Sequence, residues 1–224
     1  MPAPMTAFLW VRHASHDLLG ARLAGRMPGV SLNARGALEA RRLGTWLAGA
    51  RIDRLYTSPL ERCMETAAAI ARANGCTPQV LPELTEIDFG AWTGRAFDDL
   101  AADPAWTRFH TARGEAPVPG GESMREVRER VLTAADRLRR DHLGETIILV
   151  SHGDVIKAVL ASALGTDLDH LPRFDVDPAS VSTLVHEGGT WRVVAMNEGP
   201  EPGHGRIVRS RVLRAPDAAI PGLR

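Results

Sequence analysis

The chain has 224 residues, of which 44% are hydrophobic and 24% charged, so it can bury a substantial core and has the composition of a globular domain. Its 27 basic and 27 acidic side chains give a formal net charge of zero, which argues against nucleic acid or a membrane surface as a partner. No run approaches the roughly 18 apolar residues of a membrane span. Residues 1–7 lack the pattern of a secretory signal.

The only two cysteines, Cys63 and Cys76, form no CxxC pair, and Cys63 falls inside a predicted helix. Reduced, unreactive thiols are therefore favoured over a disulfide, which is typical of proteins in a reducing compartment. Because the chain also lacks the pattern of a membrane span, we predict a cytoplasmic protein.

Strands and helices are predicted to alternate through most of the chain. Four large apolar residues at 8–11 follow one another without polar alternation, which indicates a buried strand. A loop at 18–33 then leads to a helix over 34–50, with Asn33 as its N-cap. The later predicted elements are strands at 53–57, 77–81 and 145–151, helices at 58–74, 123–143 and 155–164, and a hairpin of strands 180–186 and 191–196.

This alternation predicts an α/β fold, a three-layer sandwich in which a mainly parallel mixed sheet carries helices on both faces. We assign residues 1–198 to a single domain. The irregular segment 82–121 is expected to be a small cap insertion that lies over the sheet, with a weak helix at 98–113. Residues 199–224 hold Gly, Pro and Arg without periodicity, and we predict a poorly packed tail there.

Two of the predicted buried strands end in the same way. The first runs into Arg12 and His13, and the strand at 145–151 runs into Ser151 and His152. Parallel strands bring their carboxyl ends to one edge of a sheet, which is where open α/β sheets place their ligands. The sequence therefore predicts that both histidines lie at one site.

Arg62, one turn into a predicted helix, and Glu86, in a loop after a strand, are expected at the same edge. Two guanidiniums, Arg12 and Arg62, suit the oxygens of a phosphate dianion. A neutral His13 could attack phosphorus, and a protonated His152 would stabilise the charge of the transferring group. Glu86 would have to be protonated, through a raised pKa, to donate to the leaving oxygen.

Five ordered motifs, spread over residues 8 to about 165, resemble those of the histidine phosphatase superfamily, the phosphoglycerate mutase-like proteins. They are Arg12-His13-Ala14, Ser58 to Ala67, Glu86 to Gly94, Pro119 to Ser123, and Val150-Ser151-His152-Gly153.

The resemblance implies that His13 is the phosphorylated nucleophile and Glu86 the proton donor. It implies no metal and no organic cofactor, and a small phosphorylated metabolite as partner. The implied phosphate pocket is formed by three side chains and one backbone N–H, those of Arg12, Arg62, His152 and Gly153.

The chain departs from the family pattern just after the nucleophile. An asparagine that often contacts phosphate there is matched by Leu18 or Leu19. One phosphate donor is therefore missing, or it is supplied by Ser15, His16 or Arg22.

Three other functions remain open beside phosphomonoester hydrolysis. A phosphoglycerate mutase-type phosphotransferase is disfavoured because the loop after Glu86 lacks the expected run of basic and aromatic residues. A non-catalytic phospho-ligand binder would keep the same pocket. A metallohydrolase would take its ligands from five residues whose spacing matches no zinc signature, namely His13, His16, Asp17, His152 and Asp154.

The leaving group is expected to be set by the cap, because the fold and the phosphate chemistry do not name it. The aromatic and basic residues of the cap favour a medium-sized ester such as a sugar or nucleoside phosphate. They are Trp92, Phe97, Trp106, Phe109 and Arg113.

Overall fold

The structure, a computed structural model, describes residues 5–201, so most of the predicted tail lies outside the described residues. Six strands form one sheet in the order β3-β2-β4-β1-β5-β6. They are β1 (Thr6–Arg12), β2 (Arg54–Thr57), β3 (Pro78–Val80), β4 (Thr146–Ser151), β5 (Val181–Glu187) and β6 (Thr190–Glu198).

The sheet is mixed and mainly parallel. The pairs β1–β4, β2–β4 and β2–β3 are parallel, whereas β5 and β6 form an antiparallel hairpin that joins the sheet beside β1. The predicted α/β fold with a mainly parallel mixed sheet is confirmed.

Six α-helices accompany the sheet within residues 5–201. They are α1 (Ala34–Leu47), α2 (Glu61–Asn74), α3 (Phe97–Ala101), α4 (Pro104–Thr111), α5 (Met124–Asp141) and α6 (Gly153–Leu164). Short 3-10 turns lie at Pro82–Leu84, Gly90–Trp92 and Leu168–Arg173. No helix of this part of the chain is both long and apolar enough to cross a bilayer.

The layers follow from the period-two alternation of β1. Phe8 and Trp10 point to the face that is covered by α5, α6 and the cap, whereas Leu9 and Val11 point to the face covered by α1 and α2. Both faces are therefore apolar, which explains the continuous hydrophobic run in the sequence.

The ends of two helices agree with their sequence signals. The Asn33 side chain accepts a hydrogen bond from the Gly36 N–H, and Gly75 ends α2 in the left-handed conformation. The start of α2 does not agree. We expected it at Ser58-Pro59, but the helix begins at Glu61 after Leu60, without a side-chain cap. The hydroxyl of Ser58 is engaged elsewhere, in the site described below.

The segment 82–121 lies over the sheet. Its helical part is divided at Asp103, which caps α4, into α3 and α4. Leu84, Phe89 and Phe109 of this cap belong to the same apolar cluster as the residues of α5 and α6. The assignment of residues 1–198 to one domain stays a prediction.

Candidate active site

The carboxyl ends of β1 and β4 lie side by side. Arg12 is opposite Ser151 in the parallel register, and the His13 N–H donates to the Ser151 carbonyl at 3.0 Å. The ring centroids of His13 and His152 are 5.2 Å apart. The structure thus brings together two residue pairs that are far apart in the sequence.

One nitrogen of the His13 ring is fixed by the backbone. Nδ1 lies 2.9 Å from the Ala14 carbonyl oxygen, which can only accept, so Nδ1 carries the proton and Nε2 keeps its lone pair. Burial, and then the charges of Arg12 and Arg62, hold the pKa of His13 well below its ordinary value. His13 is therefore neutral at pH 7, which is the state that a nucleophile requires.

The two arginines are buried and aimed by main-chain carbonyls. Arg12 Nη1 donates to Val176 O and Arg62 Nη2 donates to Gly25 O, each at 2.7 Å. Arg12 Nε and Arg62 Nε and Nη1 are buried without a partner among the described residues. An unpaired buried N–H is costly, and the oxygens of a phosphate would satisfy these groups.

His152 is fully buried and has both ring nitrogens engaged. Arg62 Nη2 donates to Nδ1 at 3.2 Å, so the proton lies on Nε2, which donates to Ser58 Oγ at 2.8 Å. Burial, followed by the charge of Arg62, holds the pKa of His152 well below its ordinary value. These surroundings keep the ring neutral at pH 7, and its protonation beside a bound phosphate stays a prediction. The nearby Cys63 thiol has a pKa raised by burial, which fits the predicted unreactive cysteine.

Glu86 has the environment of a proton donor. Its side chain is 12% exposed, and one carboxylate oxygen lies 3.9 Å from His152 Nδ1. Burial, and then the negative charge of Asp154, raises the pKa of Glu86 to about 7. A carboxyl group with this pKa is partly protonated at neutral pH, as general acid catalysis requires.

The backbone of Glu86 is held by arginines from two other segments. Arg26 Nε donates to the Glu86 carbonyl at 2.7 Å, and Arg130 Nη2 donates to it at 3.4 Å. Both arginines also bind the carboxylate of Glu122. The backbone of Glu86 is therefore held in place by these two arginines, although Glu86 lies outside the helices and strands.

A cavity of about 300 Å³ opens at this edge of the sheet. Its walls include Arg12, His13, Arg62, Glu86 and Gly153, together with His16 and Arg22. Two predicted substrate-binding residues are not in its lining: His152 is buried behind it, and Ser15 is buried with its N–H bound to Glu39.

Among the candidates for the missing phosphate contact, His16 and Arg22 line the cavity. His16 Nδ1 is buried without a partner among the described residues, and burial, followed by the charge of Arg62, lowers the pKa of His16 to about 4. Arg22 is exposed and donates to Gly94 O. A neutral His16 can offer one N–H, so it is placed better than Ser15 to meet a ligand.

The contacts of several cavity residues were not predicted from the sequence. Arg113 Nη1 binds Asp154 Oδ1 at 2.5 Å, and this guanidinium outweighs the effect of burial and holds the pKa of Asp154 below its ordinary value. Lys157, one turn further along α6, also lines the cavity. Ser58, at the predicted start of a helix, does not line the cavity, and its hydroxyl instead binds His152. Asp154 and Lys157 follow the second histidine closely, and this position was the only sequence signal for them.

A turn before β5 holds the backbone of Arg12 and His13. The Ala179 N–H donates to the carbonyls of Arg12 and His13, at 3.1 and 3.3 Å, and the Arg12 N–H donates to Ser180 O. Ala179 has a φ of +55°, a left-handed conformation that is unfavourable for a residue with a Cβ. Such strain persists only where the surroundings enforce it.

Within residues 5–201, no group of three His, Cys, Asp or Glu side chains has the arrangement of a metal site. The ligand set considered for a metallohydrolase, which included His16 and Asp154, is therefore not assembled in this part of the chain.

Comparisons with known proteins agree with the fold and the motifs. The model of the histidine phosphatase superfamily (branch 1) matches residues 8–199. Phosphoserine phosphatase 1 of Hydrogenobacter thermophilus is 30% identical over 185 residues, which cover 80% of this chain and 86% of that protein. A probable phosphoglycerate mutase of Salmonella choleraesuis is 28% identical over 183 residues, which cover 81% and 85%.

Among solved structures, a mycobacterial glucosyl-3-phosphoglycerate phosphatase superposes with a TM-score of 0.78 at 25% identity, over 86% of this chain and 99% of that one. The names of these relatives indicate phosphatase or mutase activity. Because the family model matches most of its length, the chain belongs to branch 1 of the histidine phosphatase superfamily.

Proposed function

We propose that the protein hydrolyses phosphate monoesters through a phosphohistidine intermediate on His13, with Glu86 as the proton donor. The observation that carries this proposal is the state of His13, which is neutral and has Nδ1 bound to Ala14 O. His13 shares the cavity wall with Arg12 and Arg62, whose buried N–H groups have no partner among the described residues.

In the first step, His13 Nε2 attacks phosphorus while the bond from phosphorus to the ester oxygen breaks. The departing oxygen takes the proton of Glu86, so the leaving group departs as an alcohol and not as an alkoxide. The guanidiniums of Arg12 and Arg62 stabilise the negative charge on the three other phosphoryl oxygens. A dianion beside His152 would also raise the pKa of this imidazole, and the protonated ring would add positive charge behind the phosphate.

In the second step, the Glu86 carboxylate accepts a proton from a water molecule, and the resulting hydroxide attacks phosphorus. The bond between phosphorus and His13 Nε2 breaks, which releases inorganic phosphate and restores the neutral imidazole. Glu86 thereby regains its proton for the next turnover.

A mutase function is the second candidate, and the 28% identity to a probable phosphoglycerate mutase favours it. The 30% identity to a phosphoserine phosphatase and the fold similarity to a second phosphatase favour hydrolysis. The two functions share the first step. They differ in whether water or a second hydroxyl group attacks the phosphohistidine.

The experiment is to quench turnover of a ³²P-labelled aryl phosphate and to map the labelled residue. We expect an acid-labile, base-stable adduct on His13, and we expect His13→Ala to abolish both adduct and turnover. His186→Gln is the matched control, because His186 lies on β5 at the opposite end of the sheet and should keep full activity. A label on any other residue would refute the proposal.

The same assay separates the three functions. Hydrolysis releases phosphate and alcohol in equal amounts, and the ratio does not change when glycerate is added as an acceptor. A mutase would transfer more label to glycerate than to water. Absence of alcohol release, together with tight binding of vanadate, would identify a non-catalytic binder.

A further inference from the structure

The cavity has two halves with different chemistry. We define the outer half by five side chains, contributed by the cap and by the first turns of α6. They are Trp106, His110, Arg113, Asp154 and Lys157. The inner half is the phosphate pocket proposed above, with Arg12, His13 and Arg62, and it includes none of these five side chains.

Lys157 is the only lysine of the chain, whereas every other one of the 27 basic side chains is an arginine. Its side chain is 19% exposed, with Nζ 5.7 Å from the centroid of the Phe174 ring. The carboxylate at 4.0 Å, that of Asp175, is 85% exposed, so this ion pair is weak. Lys157 therefore brings three N–H donors to the cavity wall without a strong partner among residues 5–201.

Arg113 is held from two sides and still has one unsatisfied donor. Its guanidinium carbon lies 4.8 Å from the centroid of the Phe109 ring, and Nη1 binds Asp154. Nε is buried without a partner among the described residues, as is His110 Nε2. A ligand oxygen at this wall would satisfy both groups.

The charges of the outer half leave one positive charge uncompensated. Two little-exposed cations, Arg113 and Lys157, flank one carboxylate, that of Asp154. Burial, followed by the charge of Arg113, lowers the pKa of His110, which keeps this ring neutral.

Besides Arg12, Arg62 and Glu86 at the phosphate pocket, three further charged groups line the cavity, and none of them cancels this excess. Arg22 and Asp175 are exposed, so water screens them. The Asp177 carboxylate accepts from the Asn197 side chain at 2.8 Å and acts on Arg12 in the inner half.

We propose that the outer half is a carboxylate subsite, in which Lys157 Nζ and the Arg113 guanidinium bind a carboxylate of the leaving group. The substrates are then phosphate monoesters of small hydroxy acids or hydroxy amino acids. A cavity of about 300 Å³ is at the lower end of the range for ligand pockets, which fits such a small leaving group. This inference rests on the proposed phosphatase function.

The test uses two pairs of probes that differ in the carboxylate alone. The first pair is 3-phosphoglycerate and glycerol 3-phosphate, and the second is O-phosphoserine and O-phosphoethanolamine. Their dissociation constants are measured by calorimetry on the His13→Ala protein, which binds without turnover. We expect about tenfold tighter binding of the carboxylate member in each pair, as for one hydrogen-bonded ion pair.

Lys157→Met, made in the same background, should remove most of this difference and leave the dissociation constant of inorganic phosphate unchanged. Lys157→Arg should restore part of it, because the charge returns with a different geometry. Arg108→Met is the matched control, since Arg108 is exposed on α4, does not line the cavity, and should leave all constants unchanged.

Equal affinity for the two members of each pair would overturn the inference, as would a Lys157→Met variant that weakens both members alike. These results would leave the proposed function intact if the wild type still hydrolyses an aryl phosphate. Conversely, a carboxylate preference in a wild type that releases no phosphate would support the subsite and refute the phosphatase.

Discussion

The inner and outer halves of the cavity are held by different kinds of contact. In the inner half, Arg12, His13 and Arg62 are each oriented by a main-chain carbonyl. In the outer half, Arg113 and Lys157 contact carboxylate side chains and aromatic rings, and only Arg113 has a strong ion pair. We therefore expect the proposed phosphate chemistry to depend on the path of the backbone, and the proposed leaving-group recognition to depend on side chains that can change without moving the chain.

The largest expected effect is on the inner half. Arg62→Gln should lower kcat/KM by about 10²–10³-fold for every phosphate monoester, because the guanidinium acts on phosphoryl oxygens that all substrates share. Steady-state kinetics with an aryl, a sugar and a hydroxy-acid phosphate measure this. Arg72→Gln is the control, because Arg72 is an exposed arginine of the same helix, α2. A loss that depends on the leaving group would contradict the division into halves.

The second effect concerns the boundary between the halves. Glu86→Gln should slow hydrolysis of an alkyl phosphate by about 10²-fold and that of nitrophenyl phosphate by less than about threefold, because only the poor leaving group needs the proton. Glu83→Gln removes a neighbouring carboxylate that is paired with Arg137, and it should affect neither substrate. Equal losses on both substrates would rule out Glu86 as the acid.

The raised pKa of Glu86 also predicts the pH dependence. Alkyl phosphate turnover should fall as pH rises above about 7, and Glu86→Gln should lose this limb of the profile. The pKa lies above the ordinary value of 4.5, so the folded state favours the neutral acid, and this stabilisation is lost as pH rises through about 7. Thermal melting should therefore show Glu86→Gln to be more stable than the wild type at pH 8 but not at pH 4.

A smaller effect is expected from the outer half. Trp106 packs edge-to-face on Trp92 and on His110, at 5.2 and 4.4 Å between ring centroids. Trp106→Ala should change the relative kcat/KM of different substrates by about tenfold. Nitrophenyl phosphate turnover should stay within about threefold of wild type, since the phosphate contacts remain. Trp46→Ala removes a tryptophan on the opposite face of the sheet and is the control for lost packing. It should leave the relative kcat/KM of the different substrates unchanged.

The smallest effect is expected from the strained turn. Ala179→Gly should raise the free energy of unfolding by about 0.5–1 kcal/mol, because glycine accepts a φ of +55° without strain. It should lower kcat by only a few-fold, because the Ala179 N–H then holds the carbonyls of Arg12 and His13 less firmly. Denaturation curves and single-turnover rates test the two parts separately. A variant that is more stable and fully active would show that the strain has no role in catalysis.

The parts of the fold that follow from local pattern could be predicted from the sequence. The apolar runs of β1 and β4 located the sheet edge where His13 and His152 meet, and Asn33 and Gly75 marked helix ends. The start of α2 could not be predicted in this way. Ser58 has the local signature of a cap, but its hydroxyl accepts from His152, a residue of a distant strand.

The contacts of the outer half also could not be predicted from local sequence. Arg113 and Asp154 were both named in the sequence analysis, but their ion pair was not predicted. Nothing in the local sequence indicates that a cap residue pairs with the first turn of α6. The neutral state of His152 also depends on burial and on the charge of Arg62, which only the assembled site provides.

The parallel pairing of β1 with β4 has a consequence for folding. Phe8 lies beside Ile147, so the central pair joins the beginning of the chain to a strand far along it. Contacts of such long sequence separation form slowly, since loop-closure entropy is lost before they form. His13 comes next to His152 only after β1 has paired with β4. During refolding, recovery of the proposed phosphatase activity should therefore lag behind recovery of helical circular dichroism.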